Sequence, residues 1–518
     1  MKLSKLFFKN AKVKPRLTAD GSDLPAKDLI YRKLEENYLV MDSILGKSSD
    51  AVLRRFKIGT GGNLEAMVCY IDGFVSGPMV NQHVIHALMS TDALRHKVKL
   101  RGKAAILHIK ERMLTTARIK EENSFGKIVD AILSGSVALF VDTCDKAILV
   151  ELRSWEKRSV GEPDTEGVIR GPRESFNEDI YTNMTLLRRK IRNPNLVYET
   201  IQLGKQTHTK ICIAYIEGIA NRELVEEVKQ RLNKINTDSI LETGYIEQFI
   251  DDNPMSPFPT LMSSEKSDVI ASKVLEGRVA IICDGTPFVM TAPTMFMEFF
   301  ISAEDYYLKP YIATLMRVLR FMSLFVAIAI PAIYVSLQTY HQEMLPSVLL
   351  VTMAASREGI PFPTFVETAI SLLLFDLIRE AGIRMPKTIG PALSIVGALI
   401  VGEQAVSAGF ISSPAAIITG VTGITSLIIP SLLNVIIFSR IFLLVLSGVF
   451  GFYGIVVGML IVLAHMCSLK SFNIYFLTPF APTVWSDLKD TVLKAPLRAM
   501  KKRPESLEPE DLKRQNGK

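Results

Sequence analysis

Charge is what this sequence withholds. From Thr388 to Ser439, fifty-two residues contain no Lys, Arg or Asp and one acid, Glu403. Arg440 follows, and then Ile441 to Leu469 carries no charged residue, as does Phe321 to Gln342. A helix needs ~20 apolar residues to cross a bilayer core, so three such runs exclude a wholly water-soluble chain. Other absences narrow the function. The N-terminus, Met1-Lys-Leu-Ser-Lys, is basic but has no apolar stretch of about seven residues and no cleavage site, so it is no secretory signal and the large N-terminal part is expected in the cytosol. Five cysteines (Cys69, Cys144, Cys212, Cys283, Cys467) are odd in number and lack Cys-x-x-Cys spacing, which favours reduced thiols over a disulfide or metal role. Seven scattered histidines form no acid, base and nucleophile constellation, so no enzyme, catalytic residue or cofactor is indicated. Gly59-Thr-Gly-Gly lacks the Lys-Ser or Lys-Thr of a phosphate-binding loop.

What charge there is divides the chain. Residues 1–310 hold 43 basic and 41 acidic side chains, residues 311–485 hold 8 and 6, and residues 486–518 hold 9 and 6. The net charge of +7 is spread over all three regions, which gives no basic face for nucleic acid. The cluster Lys501-Lys502-Arg503 reads as a cytoplasmic topology signal and a contact for anionic lipid. The expected domains are an N-terminal helical or flexible segment (1–60), an α/β lobe (61–155), a linker with a helix (156–205), a second α/β lobe (206–310), an all-α polytopic membrane domain (311–485) and a basic cytoplasmic tail (486–518). The fold class is thus a two-lobed soluble α+β part followed by membrane helices.

An internal duplication supports the two lobes. Ala66-Met-Val-Cys-Tyr-Ile-Asp-Gly resembles Ile211-Cys-Ile-Ala-Tyr-Ile-Glu-Gly, and Gly135-Ser-Val-Ala-Leu-Phe-Val-Asp resembles Gly277-Arg-Val-Ala-Ile-Ile-Cys-Asp. The matched landmarks have nearly equal spacing, as repeats do. Each half reads as a strand running into a helix, closed by a β-hairpin. A cleft between lobes suits a small ligand, or is filled by the partner lobe or another subunit. Between the lobes, Arg170, Arg173, Glu174 and Glu178 either decorate a charged linker or pair across a lobe or subunit interface. The Pro-rich stretch 242–268 reads as an exposed loop that carries contacts.

In the membrane part, spans are expected near 318–338, 390–410, 414–438 and 441–466, with about four to six membrane segments in all. Arg317 and Arg320 hold the start of the first on the cytoplasmic side. The segment 364–378 is too polar for a lipid-facing span and reads as re-entrant, buried or interfacial. Its Thr364, Glu367, Thr368 and Ser371 share one helix face, which lines an ion pathway in an oligomer or lies flat at the interface. Glu403 is either paired with Thr419, Thr422 or Ser426, or belongs to a pore. Gly448, Gly451, Gly454 and Gly458 are read as one small-residue face for helix packing. Pro430 and Asn434 suggest a kink.

Pro361-Phe-Pro-Thr-Phe-Val-Glu-Thr-Ala, Phe375-Asp-Leu-Ile-Arg-Glu-Ala-Gly-Ile-Arg-Met-Pro, Val401-Gly-Glu-Gln-Ala-Val and Gly171-Pro-Arg-Glu-Ser-Phe-Asn-Glu together resemble the GerA family, A subunits of nutrient germinant receptors of endospore-forming bacteria. The resemblance covers nearly the whole chain. It implies a multi-pass protein of the spore inner membrane, in contact with lipid, with its N-terminal domain and tail on the core side. It also implies partnership with a transporter-like B subunit and a lipoprotein C subunit, and a homo-oligomer acting as a ligand-gated cation channel in germination. An accessory scaffold that supports germination without a pore is the alternative.

Overall fold

The computed structural model describes residues 28–59, 64–90, 102–114, 118–152, 161, 163, 165–384 and 400–515. They form two compact units. One takes the described residues up to Asp251, Leu261–Pro293 and those from Met500 on; the other takes Asp252–Thr260 and Thr294–Ala499.

The first unit makes one pattern twice. The first pass contains α1 (Leu34–Leu45), β1 (Ala51–Ile58), β2 (Leu64–Ile71), β3 (Ile119–Glu122), α2 (Phe125–Ile132), β4 (Ser136–Val141) and β5 (Ala147–Glu151). The second contains α3 (Ile180–Lys190), β6 (Leu196–Leu203), β7 (Thr209–Ile216), β8 (Met262–Ser264), α4 (Ser267–Leu275), β9 (Val279–Cys283) and β10 (Val289–Ala292). The sheets have equivalent orders, β1-β2-β4-β5-β3 and β6-β7-β9-β10-β8, with antiparallel neighbours throughout. Registers correspond as well: Ala66 lies opposite Val141, and Ile211 opposite Cys283.

Even the fastenings recur. Asn37 accepts from Tyr31 N at 2.8 Å and donates to Tyr31 O at 2.7 Å; Asn183 does the same with Asn177 at 2.8 and 2.6 Å. Asp142, at the end of β4, accepts from the N-terminal amide of α1 at 3.1 Å, and Asp284, after β9, from that of α3 at 3.2 Å. In both cases a carboxylate meets the positive end of a helix, where it also satisfies an otherwise open amide.

Each lobe therefore begins before the boundaries expected at 61 and 206. The helix 180–190, expected in a linker, is the first helix of the second lobe, with Ile180, Met184, Leu186 and Leu187 buried. β1 and β6 escaped the apolar-run criterion because they are edge strands, and Arg54, Arg55 and Thr200 on them are exposed. β4 and β9 are buried throughout, which is why they read as unbroken apolar runs. Cys69, Cys144, Cys212 and Cys283 are free thiols in this interior, and burial pushes Cys69 up to about 12.

The tail beyond Met500 packs on the second lobe. Arg503 donates to Leu275 O at 3.0 Å and pairs with Asp511 at 2.7 Å, Lys502 pairs with Glu505 at 2.9 Å, and Glu510 N donates to Ile219 O at 3.0 Å. Two members of the expected lipid-binding cluster are thus engaged with the chain itself.

The helical unit contains α5 (Pro310–Thr339), a short exposed helix Ser347–Ala355, α6 (Thr364–Arg384), a helical segment 400–407, α7 (Ser413–Ser426) and the stretch Leu433–Ser468. Two stretches, Pro310–Thr339 and Pro430–Ser468, are long and apolar enough to cross a membrane. The second is not one rod. Gly451 has φ 59° and ψ −140°, a conformation open to glycine. A β-carbon on Gly458 would lie 2.5 Å from Leu443 Cδ2, although fifteen residues of straight helix span ~22 Å. The chain therefore reverses at Gly451, and α8 (433–450) and α9 (452–468) lie side by side as an antiparallel hairpin. Tyr340, just past α5, caps the tip: its hydroxyl lies 2.9 Å from Gly448 O and 3.1 Å from Val449 O, carbonyls left open where the helix breaks.

Two expectations change accordingly. The span expected at 414–438 is divided, because α7 ends at Ser426 and Pro430 begins a separate helical turn before α8. The four glycines do not form one face. Gly448 meets Phe365 of α6, Gly451 makes the turn, and Gly454 and Gly458 let α9 approach α8.

At the opposite end from Tyr340, Phe258, Phe296, Phe300 and Phe476 pack together with Met466 of α9. Residues 252–260, expected in an exposed loop, join this cluster, with Ser471 Oγ donating to Thr260 O at 2.6 Å. Arg317 pairs with Asp305 at 3.2 Å and Asp490 at 2.8 Å, and Arg320 with Asp305 at 2.8 Å. These bonds tie residues 302–306 and 487–491 to the start of α5.

Candidate functional site

The polar stripe of α6 is the natural place to look for function. Thr364, Glu367, Thr368 and Ser371 recur at three- and four-residue spacing, share a helix face, and are all buried. That face turns into the bundle. Glu367 Oε1 accepts from the Ser412 amide at 2.6 Å and from its hydroxyl at 2.5 Å. Ser412 is the N-cap of α7, so the carboxylate rests on a helix N-terminus, and Pro414 just inside the helix gives up no amide that the helix needs. Arg357 approaches the other oxygen, with Nε 3.5 Å from Oε2, and also contacts Thr364 Oγ1. Tyr334 of α5 reaches Ser412 Oγ at 3.4 Å.

Further along, Thr368 donates to Thr364 O at 2.8 Å and Ser371 to Glu367 O at 2.9 Å, so these hydroxyls bond back to their own helix. On α7, Thr419, Thr422 and Ser426 are buried; the hydroxyls of Thr419 and Thr422 have no hydrogen-bond partner among the described residues. Beyond them, Asp376 pairs with Arg379 at 3.0 Å and with Arg440 of α8.

Cross-contacts fix the directions. Phe365 meets Gly448 and Asp376 meets Arg440, so α6 runs antiparallel to α8. Glu367 meets Ser412 and Phe375 meets Gly423, so α6 runs parallel to α7. Glu367 and Asp376 are nine residues apart, ~13 Å along the helix. With 21 residues and ~31 Å, α6 stands in the bundle and is longer than the expected 364–378 segment.

Glu403 lies apart. It is exposed, its side chain has no hydrogen-bond or ion-pair partner among the described residues, and Thr419, Thr422 and Ser426, its expected partners, are buried inside the bundle. Residues 390–399 of the expected span at 390–410 lie outside the described residues.

In the sheet unit, the expected interface residues behave differently from one another. Glu174 pairs within its own lobe, with Arg189 and Lys190, each at 3.1 Å; Arg170, Arg173 and Glu178 are exposed. Two ion pairs join the lobes: an outer one between Lys47 and Glu217, and a buried one between Arg188 and Asp50. Arg188 Nε and Nη2 lie 2.5 and 2.8 Å from the two carboxylate oxygens, and Nη2 also reaches Ser48 Oγ at 2.8 Å and Leu196 O at 3.0 Å. Both residues are buried. Beside them a hollow of about 360 Å³ is lined by Asp72, Tyr181, Thr200, Gln202 and Lys210, among others. No group of His, Cys, Asp and Glu suited to a metal occurs among the described residues.

The family model described as Bacillus/Clostridium GerA spore germination protein matches residues 40–506. The chain belongs to the GerA family of spore germination proteins. It is 41% identical to spore germination protein KA of Bacillus subtilis (strain 168) over 489 residues, which cover 94% of this chain and 89% of that one. It is 38% identical to spore germination protein GerLA of Bacillus cereus, covering 90% of this chain and 94% of that protein. It is also 38% identical to the uncharacterized membrane protein YfkQ of Bacillus subtilis (strain 168), covering 94% and 92%. A crystal structure of the N-terminal domain of the A subunit of the Bacillus megaterium spore germinant receptor GerK3 is 34% identical, with a TM-score of 0.42 over 52% of this chain and 97% of that domain.

In this GerA-family chain, sequence reasoning brought together Thr364, Glu367, Thr368 and Ser371 but missed their partners. Ser412 was visible as a Ser-Ser-Pro helix start. Arg440 was visible as the one charge between two apolar runs. Arg188 carried no signal, because it sits among Arg189, Lys190 and Arg192 and only the tertiary fold selects it.

Proposed function

We propose that this chain is the A-type subunit of a germinant receptor that couples nutrient sensing to ion release, by assembling with copies of itself into a ligand-gated cation channel. It works without catalysing a reaction, in the spore inner membrane, with transporter-like B and lipoprotein C subunits. The helix directions support a polytopic arrangement. α5 and α8 run one way and α6, α7 and α9 the other; α6 ends at the end where Arg440 lies, and α7 begins beside Glu367, towards the other. These directions support the reading of an even number of crossings with the sheet unit and tail on the core side. The repeated sheet is read as a duplication that supplies an assembly or coupling module.

The observation that carries the channel reading is Glu403. A carboxylate facing lipid costs at least ~2.5 kcal/mol, and here it is exposed on a single chain. Copies arranged around an axis remove that cost by turning it towards a shared aqueous path, where a ring of carboxylates favours cations. Glu367 then serves as a latch between α6 and α7, since it is already bound by Ser412 and Arg357. The test is conductance of the purified chain in a planar bilayer. Discrete cation-selective openings whose conductance falls in Glu403→Gln, and whose open probability changes in Glu367→Gln, support the reading. An assembled but silent protein, or openings unaltered in both variants, assigns the path to a partner and leaves this chain a scaffold.

A further inference from the structure

Among the described residues of the helical unit, five of the twelve buried side-chain polar atoms without hydrogen-bond partners belong to one ion cluster: Nε and Nη1 of Arg440, Nε and Nη1 of Arg379, and Oδ1 of Asp376. Arg440 is 1% exposed and Asp376 18%. Arg379, at 11%, holds Asp376 by charge alone, 3.0 Å away, without hydrogen-bond geometry. Two guanidinium groups thus share one carboxylate. A buried ion is tolerated when a counter-ion and hydrogen bonds replace the lost water, and here one positive charge and several N–H groups lack both.

Among the described residues, no acid other than Asp376 pairs with Arg379 or Arg440. Residues 385–402 contain no Asp or Glu. Glu380 pairs with Arg384 at 2.7 Å, and Glu367 is bound by Arg357 and Ser412. Glu403 is exposed. Arginine cannot shed its proton to escape the penalty, and its planar fork presents several donors towards a single anion.

We infer that Arg379 and Arg440 hold a small monovalent anion, chloride in size and charge, beside Asp376. This site is independent of the channel reading, which concerns Glu403 and cations. Bound there, the anion neutralises the surplus charge and fastens α6 to α8, so its occupancy bears on the packing of these helices.

The test is the thermal midpoint of the full chain in a maltoside detergent, at constant ionic strength, as gluconate is exchanged for chloride or bromide. A rise of a few degrees with either halide, saturating with concentration, is expected, because a ligand bound to the folded state alone stabilises it. Arg379→Gln leaves Asp376 and Arg440 as a balanced pair, and is expected to be at least as stable as the parent in gluconate and insensitive to halide. A parent indifferent to halide, or an Arg379→Gln variant that keeps the full response, overturns the inference. If phosphatidylglycerol stabilises the parent while halide does not, the anion is a lipid headgroup and the small-ion assignment fails.

Discussion

Replacing Asp50 by Asn should loosen the second lobe more than almost any other polar substitution in the sheet unit. Both oxygens of Asp50 are taken by Arg188, Ser48 Oγ adds a bond at 2.6 Å, and the guanidinium is stacked 4.7 Å from the Tyr198 ring. The Asn variant leaves Arg188 charged, 1% exposed and facing a neutral amide. Removing one partner of such a pair costs about 3–5 kcal/mol, most of it the uncompensated charge that remains. Cys212 is a convenient reporter, since it is fully buried on β7 and is reached by a thiol reagent only when the lobe opens. At about 1.4 kcal/mol per decade, its labelling rate should rise by roughly two to nearly four orders of magnitude. Cys69, in the first lobe, provides the internal comparison. Adding Arg188→Met should recover much of the loss, because the stranded charge is gone. Acceleration below about tenfold, or a double variant as open as the sum of the singles predicts, would refute the claim that this pair holds the lobes.

Two further outcomes follow from backbone and burial. Gly451→Ala forces a β-carbon into a glycine conformation and against Tyr340 at 3.0 Å, so it should cost at least about 1–3 kcal/mol and lower the monodisperse fraction on size exclusion; Gly420→Ala, in α7 with nothing within 4 Å, should be neutral or stabilising by up to ~1 kcal/mol. Burial, then Asp251 and Glu242, raise Glu247 to about 7, so the folded state holds a proton that the unfolded chain, near 4.5, gives up. Stability from this group is therefore full below about 4.5 and falls as pH rises to about 7; Glu247→Gln should flatten that part of a melting-temperature profile by an amount on the order of 1–2 kcal/mol.

Particular residues show how far the chain could be read before folding. The strands at 66–71, 136–141, 211–216 and 279–283 were legible because both faces are buried, so composition alone marks them. β1 was not, because Arg54 and Arg55 belong to an edge strand and look like loop. The stripe on α6 was legible from period alone, yet the direction it faces was not: whether Glu367 meets water or Ser412 depends on a contact 45 residues away. The reversal at Gly451 was hidden for a related reason. A glycine between two apolar runs has the same composition whether the helix continues or folds back, and only the approach of Leu443 to Gly458 decides it.

The likeness of the two lobes carries a hazard that their joint resolves. Modules that join head to tail through one donor face and one acceptor face have no reason to stop at two, and identical copies would grow as an open filament. Here the counterparts break the rule. By the alignment of the lobes, the position of Arg188 on α3 falls at Asp42 on α1, and that of Asp50 falls at Asn195 before β6. The buried pair at the joint therefore has no counterpart at the outer end of either lobe, and a third module would lack this anchor.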